Sequence, residues 1–427
     1  MNSVGGRAPG ARAEKLDHSM HQLAVLGGAP AFARKIHVGR PNLGDRNRFL
    51  QRVNEMLDAR WLSNGGPFVK QFEDRIANAV GVKHCIAMCN ATVALEIAIR
   101  ALDLKGEVIV PSFTFVATAH ALQWQQITPV FCDIDRETHN LDPAKVEAMI
   151  TPRTSAILAV HLWGRPCDIA ALQAIADKHG LKLLFDAAHA FGCSHGGKKI
   201  GGFGNAEVLS FHATKFVNAG EGGAVVTNDD ALAGRIRLMK NFGFAEYDTV
   251  VYIGTNGKMN ELSAAMGLTN LESQADFTQT NQANFTLYQR HLGGISGLKL
   301  VNYHPENSPN YQYIVLEIDD RQLGISRDHL LAVLHAENVL ARRYFYPGVH
   351  RMEPYRSHFP HAGLLLPHTE TLVKRVLHLP TGTGVSPLDI EKISGLVRVA
   401  IERAEEVRHA LGAFSDNAQP YFIGKQD

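Results

Sequence analysis

The middle of the chain alternates short apolar strands with helices, and this alternation limits the fold more than any other feature of the sequence. The strands are near-continuous runs of Val, Ile and Leu. Strands of this kind are buried on both faces, which is typical of a largely parallel sheet sandwiched by helices. The predicted strands span residues 107–111, 128–134, 155–162, 181–186, 208–212 and 223–227, and helices are predicted at 143–150 and 168–179.

The pattern changes near residue 296, after which strands and helices no longer alternate regularly. Here we predict half-buried strands at 311–318 and 340–346, a helix at 326–338 and one long amphipathic helix at 386–411. The fold class is therefore α/β, with a large domain and a smaller C-terminal α+β domain. The predicted boundaries are 1–22 for a flexible extension, 23–295 for the large domain, 296–415 for the small domain and 416–427 for a polar tail.

Composition excludes several classes of function. Lys and Arg total 43 and Asp and Glu total 42, a balance that argues against binding nucleic acid or another polyanion. The sequence has no apolar run of membrane-spanning length, no signal peptide and no HExxH zinc motif. The five cysteines are scattered and form no C-x-x-C pair, which is typical of reduced thiols in a cytoplasmic protein. No G-x-G-x-x-G after a strand and no Walker A sequence supports a nicotinamide or P-loop enzyme.

A lysine stands alone in a stretch of apolar, small and hydroxylic residues. Lys215 follows the predicted strand 208–212 and precedes a glycine-rich turn and another apolar strand. An amine in such surroundings loses hydration, so its pKa should fall, and a partly neutral lysine attacks carbonyl groups to form Schiff bases. Most lysines are simply exposed surface residues, so the neighbouring sequence has to decide between the two interpretations.

Two further polar residues accompany Lys215. Asp186 ends an apolar strand, at the edge where open α/β sheets place their ligands, although a carboxylate there could also cap the next helix. Ser210 lies five residues before Lys215, and its hydroxyl could bind a phosphate. A Schiff-base lysine together with an acid that pairs with a pyridinium nitrogen is the protein signature of enzymes that use pyridoxal 5'-phosphate (PLP).

These motifs resemble those of the fold-type I PLP aminotransferases of the DegT/DnrJ/EryC type, which act on nucleotide-linked keto sugars. The resemblance extends from about residue 23 to about residue 411. It is carried by Asp186-Ala-Ala-His-Ala, Ser210-Phe-His-Ala-Thr-Lys215 and Gly220-Glu-Gly-Gly223. Further strings are similar to the C4 aminotransferases of the desosamine type, which act on dTDP-4-keto-6-deoxyglucose. They begin at Trp61, His161, Gly254 and Glu353.

The resemblance assigns roles to eight residues. Lys215 would carry the cofactor and act as general base and acid, and Asp186 would hold the ring nitrogen protonated. The residues that would contact the cofactor's other groups are His189 at O3' or over the ring, Phe115 stacked on the pyridine ring, and Ala91, Thr92, Ser210 and Asn256 at the phosphate.

Some of these positions also have ordinary structural interpretations. Ala91 and Thr92 follow Asn90, a good N-cap, and a helix N-terminus attracts anions without being a specific site. Phe115 could be a packing residue, and Asn256 lies in a Gly-flanked loop at 244–258 where asparagine is common. By resemblance, Asn256 would instead reach the phosphate held by the partner subunit, which implies a homodimer with shared active sites.

The implied reaction transfers an amino group from L-glutamate to the C4 keto group of dTDP-4-keto-6-deoxy-D-glucose. The sugar nucleotide would lie near residues 61–66, 344–350 and 353–356, with an Arg or Lys on the diphosphate; a surface role is equally open for Arg356. Amination at C3 of a dTDP-3-keto-6-deoxyhexose stays open as an alternative. A related sugar dehydratase would carry His in place of Lys215, and a PLP-binding regulator would need a DNA-binding module that the sequence does not show.

Overall fold

The computed structural model describes residues 22–412, and its elements follow the strand–helix alternation of the sequence. The strands are β1 (Ile36–His37), β2 (His84–Met88), β3 (Glu107–Pro111), β4 (Thr128–Cys132), β5 (Thr154–Val160), β6 (Lys182–Asp186), β7 (Ser194–His195), β8 (Lys198–Lys199), β9 (Ala206–Ser210), β10 (Gly223–Thr227), β11 (Phe244–Glu246), β12 (Thr249–Val250), β13 (Leu298–Leu300), β14 (Ile314–Ile318), β15 (Val339–Leu340) and β16 (Val376–Leu379).

The α-helices mostly alternate with these strands, and several are capped by a polar side chain. Asp168 caps α6 through its side chain, and Gly180 ends that helix in the left-handed conformation. The helices are α1 (Arg46–Ala59), α2 (Pro67–Val80), α3 (Ala91–Ala101), α4 (Val116–Gln123), α5 (Pro143–Val146), α6 (Ile169–His179), α7 (Asp230–Met239), α8 (Glu261–Glu272), α9 (Gln274–Leu292), α10 (Asp320–Leu323), α11 (Arg327–Ala336), α12 (Tyr355–His358), α13 (Pro367–Leu372), α14 (Pro387–Glu402) and α15 (Ala404–Leu411).

A seven-stranded sheet of order β2-β10-β9-β6-β5-β3-β4 forms the centre of the molecule. The pairs from β9 to β4 are parallel, and β10 runs antiparallel to both of its neighbours. Apolar side chains cover both faces of the sheet and form two cores. The predicted α/β fold with a mainly parallel sheet is confirmed.

A second sheet, of order β13-β14-β16, is antiparallel and packs with α9, α11 and α14 around its own core. A smaller cluster that includes Trp163, Tyr313 and Phe345 joins this sheet to the carboxyl edge of the central one. One of the candidate residues, His189, stacks on Trp163 and Tyr313 of this cluster.

Two predictions for the C-terminal part are wrong. Residues 340–346, predicted as a strand, contain only the end of β15, because the chain turns so that the Phe345 ring stacks on Trp163 with centroids 5.3 Å apart. The predicted single helix over 386–411 is broken at Arg403, whose backbone leaves helical geometry at φ −105° and ψ 31°. The second helix, α15, then turns to bury Val407 in the core of the second sheet.

The loop predicted at 244–258 contains the short hairpin β11–β12. The terminal predictions, a flexible extension at 1–22 and a tail at 416–427, fall almost entirely outside the described residues. The domain boundary at 295/296 stays a prediction. Within residues 22–412, no helix is both long and apolar enough for a membrane span, and no cluster of three metal-ligating side chains occurs.

Candidate active site

The candidate residues meet at the carboxyl edge of the central sheet. Asp186 is the last residue of β6, and Ser210 is the last residue of the neighbouring parallel strand β9. On the other side of β6, the backbone N–H of His161, just after β5, donates to the carbonyl of Asp186 over 3.0 Å. Parallel strands bring their carboxyl ends to one edge, which is where open α/β sheets bind ligands.

Asp186 is a buried carboxyl group that is held at both oxygens. The hydroxyl of Thr118, in α4, donates to Oδ2 over 2.9 Å, and the backbone N–H of Ala188 donates to Oδ1 over 3.1 Å. Burial raises the pKa of Asp186, while these two donors and the charge of Lys215 oppose the rise. The acid is therefore fixed in orientation and responsive to a positive charge placed beside it.

Lys215 lies in the turn between β9 and β10, where its backbone N–H donates to the carbonyl of His212 over 2.8 Å. Its side chain keeps a partial opening to solvent, yet protein atoms crowd around the amine. Burial lowers the pKa of Lys215 to about 8, against the opposing pull of Asp186. A substantial fraction of this amine is neutral near physiological pH and can act as a nucleophile or base, as the sequence predicts.

His189 lies against this pair and inside an aromatic cluster. Its ring stacks on Tyr313 at 4.3 Å and on Trp163 at 5.7 Å between centroids. Burial lowers the pKa of His189 well below its ordinary value, and positive charge on Lys215 adds to the effect. His189 is thus a neutral imidazole near Lys215.

The amino end of α3 approaches the Lys215 loop across a glycine. Gly223 pairs with Ser210 in β9, and a Cβ at Gly223 would lie 2.4 Å from the backbone nitrogen of Ala91. Asn90 caps α3 by accepting from the N–H of Val93 over 2.8 Å, so the first backbone N–H groups of the helix remain available. The start of α3 at Ala91 therefore packs against β10 beside Ser210, and phosphate binding by Ala91, Thr92 and Ser210 stays a prediction.

Phe115 and Asn256 are exposed in the single chain. Phe115 is 57% exposed at the start of α4, one turn before Thr118. Asn256 is exposed in a segment whose next residue, Gly257, accepts from the N–H of Cys89 just before α3. Stacking of Phe115 on a ligand and binding by Asn256 to a second chain both stay predictions.

Two of the residues predicted to surround the sugar nucleotide, Trp61 and Arg356, make ordinary surface contacts. Arg356 is exposed and bonds Glu353 over 2.6 Å, which is the ordinary surface role left open by its sequence. Trp61 is exposed and donates from its indole to the carbonyl of Ser63. The predicted diphosphate contact of this region stays a prediction.

Four side chains near the candidate residues had no predicted role. Thr118 lies in a helix that the sequence pattern did not predict, and a hydroxyl on the buried face of an apolar segment was its one signal. The others are aromatic or imidazole rings, Trp163, Tyr313 and His378, which sequence patterns do not distinguish from core residues. In the described part of the chain, neither ring nitrogen of the buried His378 has a hydrogen-bond partner.

Comparison with known proteins agrees with this geometry. Residues 44–398 match the DegT/DnrJ/EryC1/StrS aminotransferase family. The chain belongs to this family. It is therefore an aminotransferase, and the family and enzyme class predicted from the sequence are confirmed.

Family members of known name are similar over nearly their whole lengths. The dTDP-4-amino-4,6-dideoxy-D-glucose transaminase of Escherichia coli is 36% identical over 367 residues, covering 85% of this chain and 98% of that protein. The GDP-perosamine synthase of Caulobacter vibrioides is 35% identical over 364 residues, covering 84% and 96%. The crystal structure of DesI with its TDP-sugar product is 50% identical with a TM-score of 0.87, covering 91% and 98%.

Proposed function

We propose that this aminotransferase uses PLP to transfer the amino group of L-glutamate to the C4 keto group of dTDP-4-keto-6-deoxy-D-glucose. The products would be dTDP-4-amino-4,6-dideoxy-D-glucose and 2-oxoglutarate. The observation that carries the proposal is the pair formed by Lys215, with its pKa lowered to about 8, and the buried Asp186. The name of the Escherichia coli relative supports the choice of a dTDP-linked sugar and of C4, and the TDP-sugar product of DesI supports the nucleotide.

The residues present fit PLP in charge, shape and reactivity. Asp186 supplies a buried acid for the ring nitrogen, and Lys215 supplies an amine for the aldehyde carbon. The start of α3 packs directly against Gly223, which pairs with Ser210, so helix N–H groups and a hydroxyl that would hold the phosphate lie on neighbouring elements. When bound, PLP supplies an electron sink that stabilises a carbanion at the amino-bearing carbon.

The side chains divide the work of the reaction between them. Asp186 would hold the proton on the cofactor's ring nitrogen, with its carboxylate oriented by the donors Thr118 and Ala188. Lys215 Nζ would hold the cofactor at its aldehyde carbon. As an amine of lowered pKa, Lys215 would also accept a proton from the α-carbon of the amino donor and return it. His189 would donate one hydrogen bond to the ring substituents, and Phe115 would cover the ring face.

We propose further that the active sites are completed in a homodimer in the cytoplasm. The segment before Asn256 carries a run of exposed apolar residues, a composition that favours contact with another protein surface. These residues are Phe242, Phe244, Tyr247, Val250, Val251, Tyr252 and Ile253. Asn256 would then bind the phosphate held by the second subunit.

Subunit mixing tests the shared site. Lys215→Ala and Asn256→Ala homodimers should each be nearly inactive. Mixed after partial unfolding and refolding, they should regain activity, because one site of each hybrid would have both residues intact. A mixture that stays inactive while native mass spectrometry shows hybrid dimers contradicts sharing, and a monomer of full activity contradicts the dimer.

Product analysis tests the reaction itself. The holoenzyme is incubated with L-glutamate and dTDP-4-keto-6-deoxy-D-glucose, and the product is examined by NMR while 2-oxoglutarate is measured. We expect nitrogen at C4 and equal amounts of both products. Lys215→Ala should give neither product, and Lys83→Ala, which removes an exposed lysine, should behave as the wild type. Nitrogen at C3, or turnover of a GDP- or UDP-linked sugar alone, contradicts the proposed substrate.

A further inference from the structure

Trp163 adopts a backbone conformation that a bulky side chain rarely occupies. It lies just beyond β5 at φ 60° and ψ 17°, in the left-handed region. Such strain in a large residue persists only where the surrounding structure enforces it, and it concentrates at functional sites. Trp163 is almost completely buried in the cluster between the two sheets.

The left-handed turn points the backbone N–H of Trp163 at His189. This N–H donates to Nδ1 of His189 over 3.3 Å, and the two rings stack at an angle of 26°. A ring nitrogen that accepts a hydrogen bond carries no proton, so a neutral His189 must hold its proton on Nε2. The geometry of Trp163 thus selects one of the two tautomers of His189.

A chain of hydrogen bonds holds the indole of Trp163 in turn. Its Nε1–H donates to Nδ1 of His139 over 3.3 Å, and Nε2 of His139 donates to Oε1 of Glu317 over 2.9 Å. Glu317 belongs to β14 in the second sheet. The ring of Phe345 stacks against the indole of Trp163 at 5.3 Å and against the imidazole of His189 at 6.0 Å between centroids. The second sheet therefore fixes the ring that lies against His189.

We propose that Trp163, held by His139 and Glu317, is a positioning residue that fixes His189 as an Nε2–H donor toward the cofactor. This inference rests on the proposed function, in which His189 donates a hydrogen bond to the ring substituents of PLP. Trp163, His139 and Glu317 act only through His189 and touch no reacting atom. A purely structural cluster would stabilise the fold without setting the tautomer or cofactor affinity.

Nitrogen NMR of the cofactor-free protein reads the tautomer directly. With ¹⁵N-histidine labelling and His189→Gln to assign the signals, we expect Nδ1 of His189 unprotonated and Nε2 protonated. Trp163→Phe keeps the backbone N–H but loses the indole bond to His139 that holds residue 163 in place, so this N–H should no longer stay aligned with Nδ1 of His189 and a mixture of tautomers should appear. Glu317→Leu, a second variant two steps removed from His189, should shift the same signals, and the exposed Trp124→Phe should not. A wild type with its proton on Nδ1 overturns the proposal.

A double-mutant cycle on PLP affinity separates positioning from folding. Trp163→Phe should weaken PLP binding about five- to tenfold, the effect of one hydrogen bond, in the His189 background. In the His189→Gln background the amide donor needs no tautomer, so the same change should cost less than about twofold. Equal losses in both backgrounds would show that Trp163 is merely structural and would overturn the proposal. A wild type that binds no PLP refutes the proposed function instead, and the NMR result still decides the tautomer.

Discussion

Thr118 donates a hydrogen bond to Oδ2 of Asp186 over 2.9 Å. Thr118 lies in the first turn of α4, the helix that follows Phe115. The donor therefore comes from the element that follows β3, while the carboxylate ends β6. The helix after β3 therefore orients an acid that lies at the end of β6. Because a donor to a carboxylate stabilises the ionised form, this contact supports the acid that would face a protonated ring nitrogen.

Removing this donor tests its contribution. Thr118→Val should raise the pKa of Asp186 further and weaken PLP binding about ten- to a hundredfold, which corresponds to about 1.5 to 3 kcal/mol for a hydrogen bond to a charged group. PLP titration monitored by visible absorbance measures the loss. Thr286→Val, which removes an exposed hydroxyl bonded to the carbonyl of Gln282, is the matched control. Unchanged affinity in Thr118→Val would contradict the role of this contact.

Because the pKa of Lys215 is lowered in the folded state, we predict that burying this amine reduces the stability of the cofactor-free protein by an amount that depends on pH. In the folded state the pKa is about 8, and in the unfolded state it returns to 10.5, so the unfolded chain binds more protons between these values. Stability of the wild type must therefore rise with pH across this window, and below about pH 8 the cost is complete.

Lys215→Met removes that cost. The variant should be more stable than the wild type below about pH 8, and its advantage should shrink from pH 8 to 10.5. Urea unfolding of the cofactor-free proteins at pH 7 and pH 10 measures the difference, with Lys83→Met as the exposed control. The same advantage at both pH values would contradict a buried amine at this position.

Gly223 is expected to tolerate no side chain. Gly223→Ala would place a Cβ 2.4 Å from the backbone nitrogen of Ala91, so the start of α3 must move away from Ser210. We expect a loss of about 1–3 kcal/mol in stability and a larger loss of affinity for PLP than for its dephosphorylated form, pyridoxal. Gly234→Ala is the control, because that exposed helical glycine has open space around it and should gain up to about 1 kcal/mol.

The buried imidazole of His378 is predicted to lower the stability of the cofactor-free protein. Burial lowers its pKa to about 3, and within residues 22–412 both ring nitrogens lack partners. His378→Phe should therefore stabilise the cofactor-free protein by about 1–3 kcal/mol, since it removes unpaired polar groups at nearly constant shape. Thermal unfolding measures the change, and destabilisation would show that the imidazole is already satisfied.

Helices and strands could be predicted from the sequence where they depend on local patterns of apolar residues and on capping side chains. The strands of the central sheet and the caps Asn90 and Asp168 follow from apolar runs and side-chain chemistry. The predictions of a strand at 340–346 and of one continuous helix at 386–411 were wrong, because packing against distant parts of the chain decides the conformation there. Phe345 turns toward Trp163, and the break at Arg403 lets Val407 reach the second core.

The site divides in the same way. Lys215 and Asp186 could be predicted, because each places a charge in an otherwise apolar stretch. Trp163 and His378 could not, because rings at strand ends are usually core residues and their contacts come from β14 and β16, far along the chain. Their importance depends on how the second sheet meets the first, which local patterns do not encode.

Mass mapping of the reduced holoenzyme tests the central claim most directly. The protein is mixed with PLP, reduced with borohydride, digested and sequenced by mass spectrometry, with Lys215→Ala treated in parallel. We predict one pyridoxyl adduct, on Lys215, and none at stoichiometric yield in the variant. An adduct at that yield on any other lysine would contradict the account.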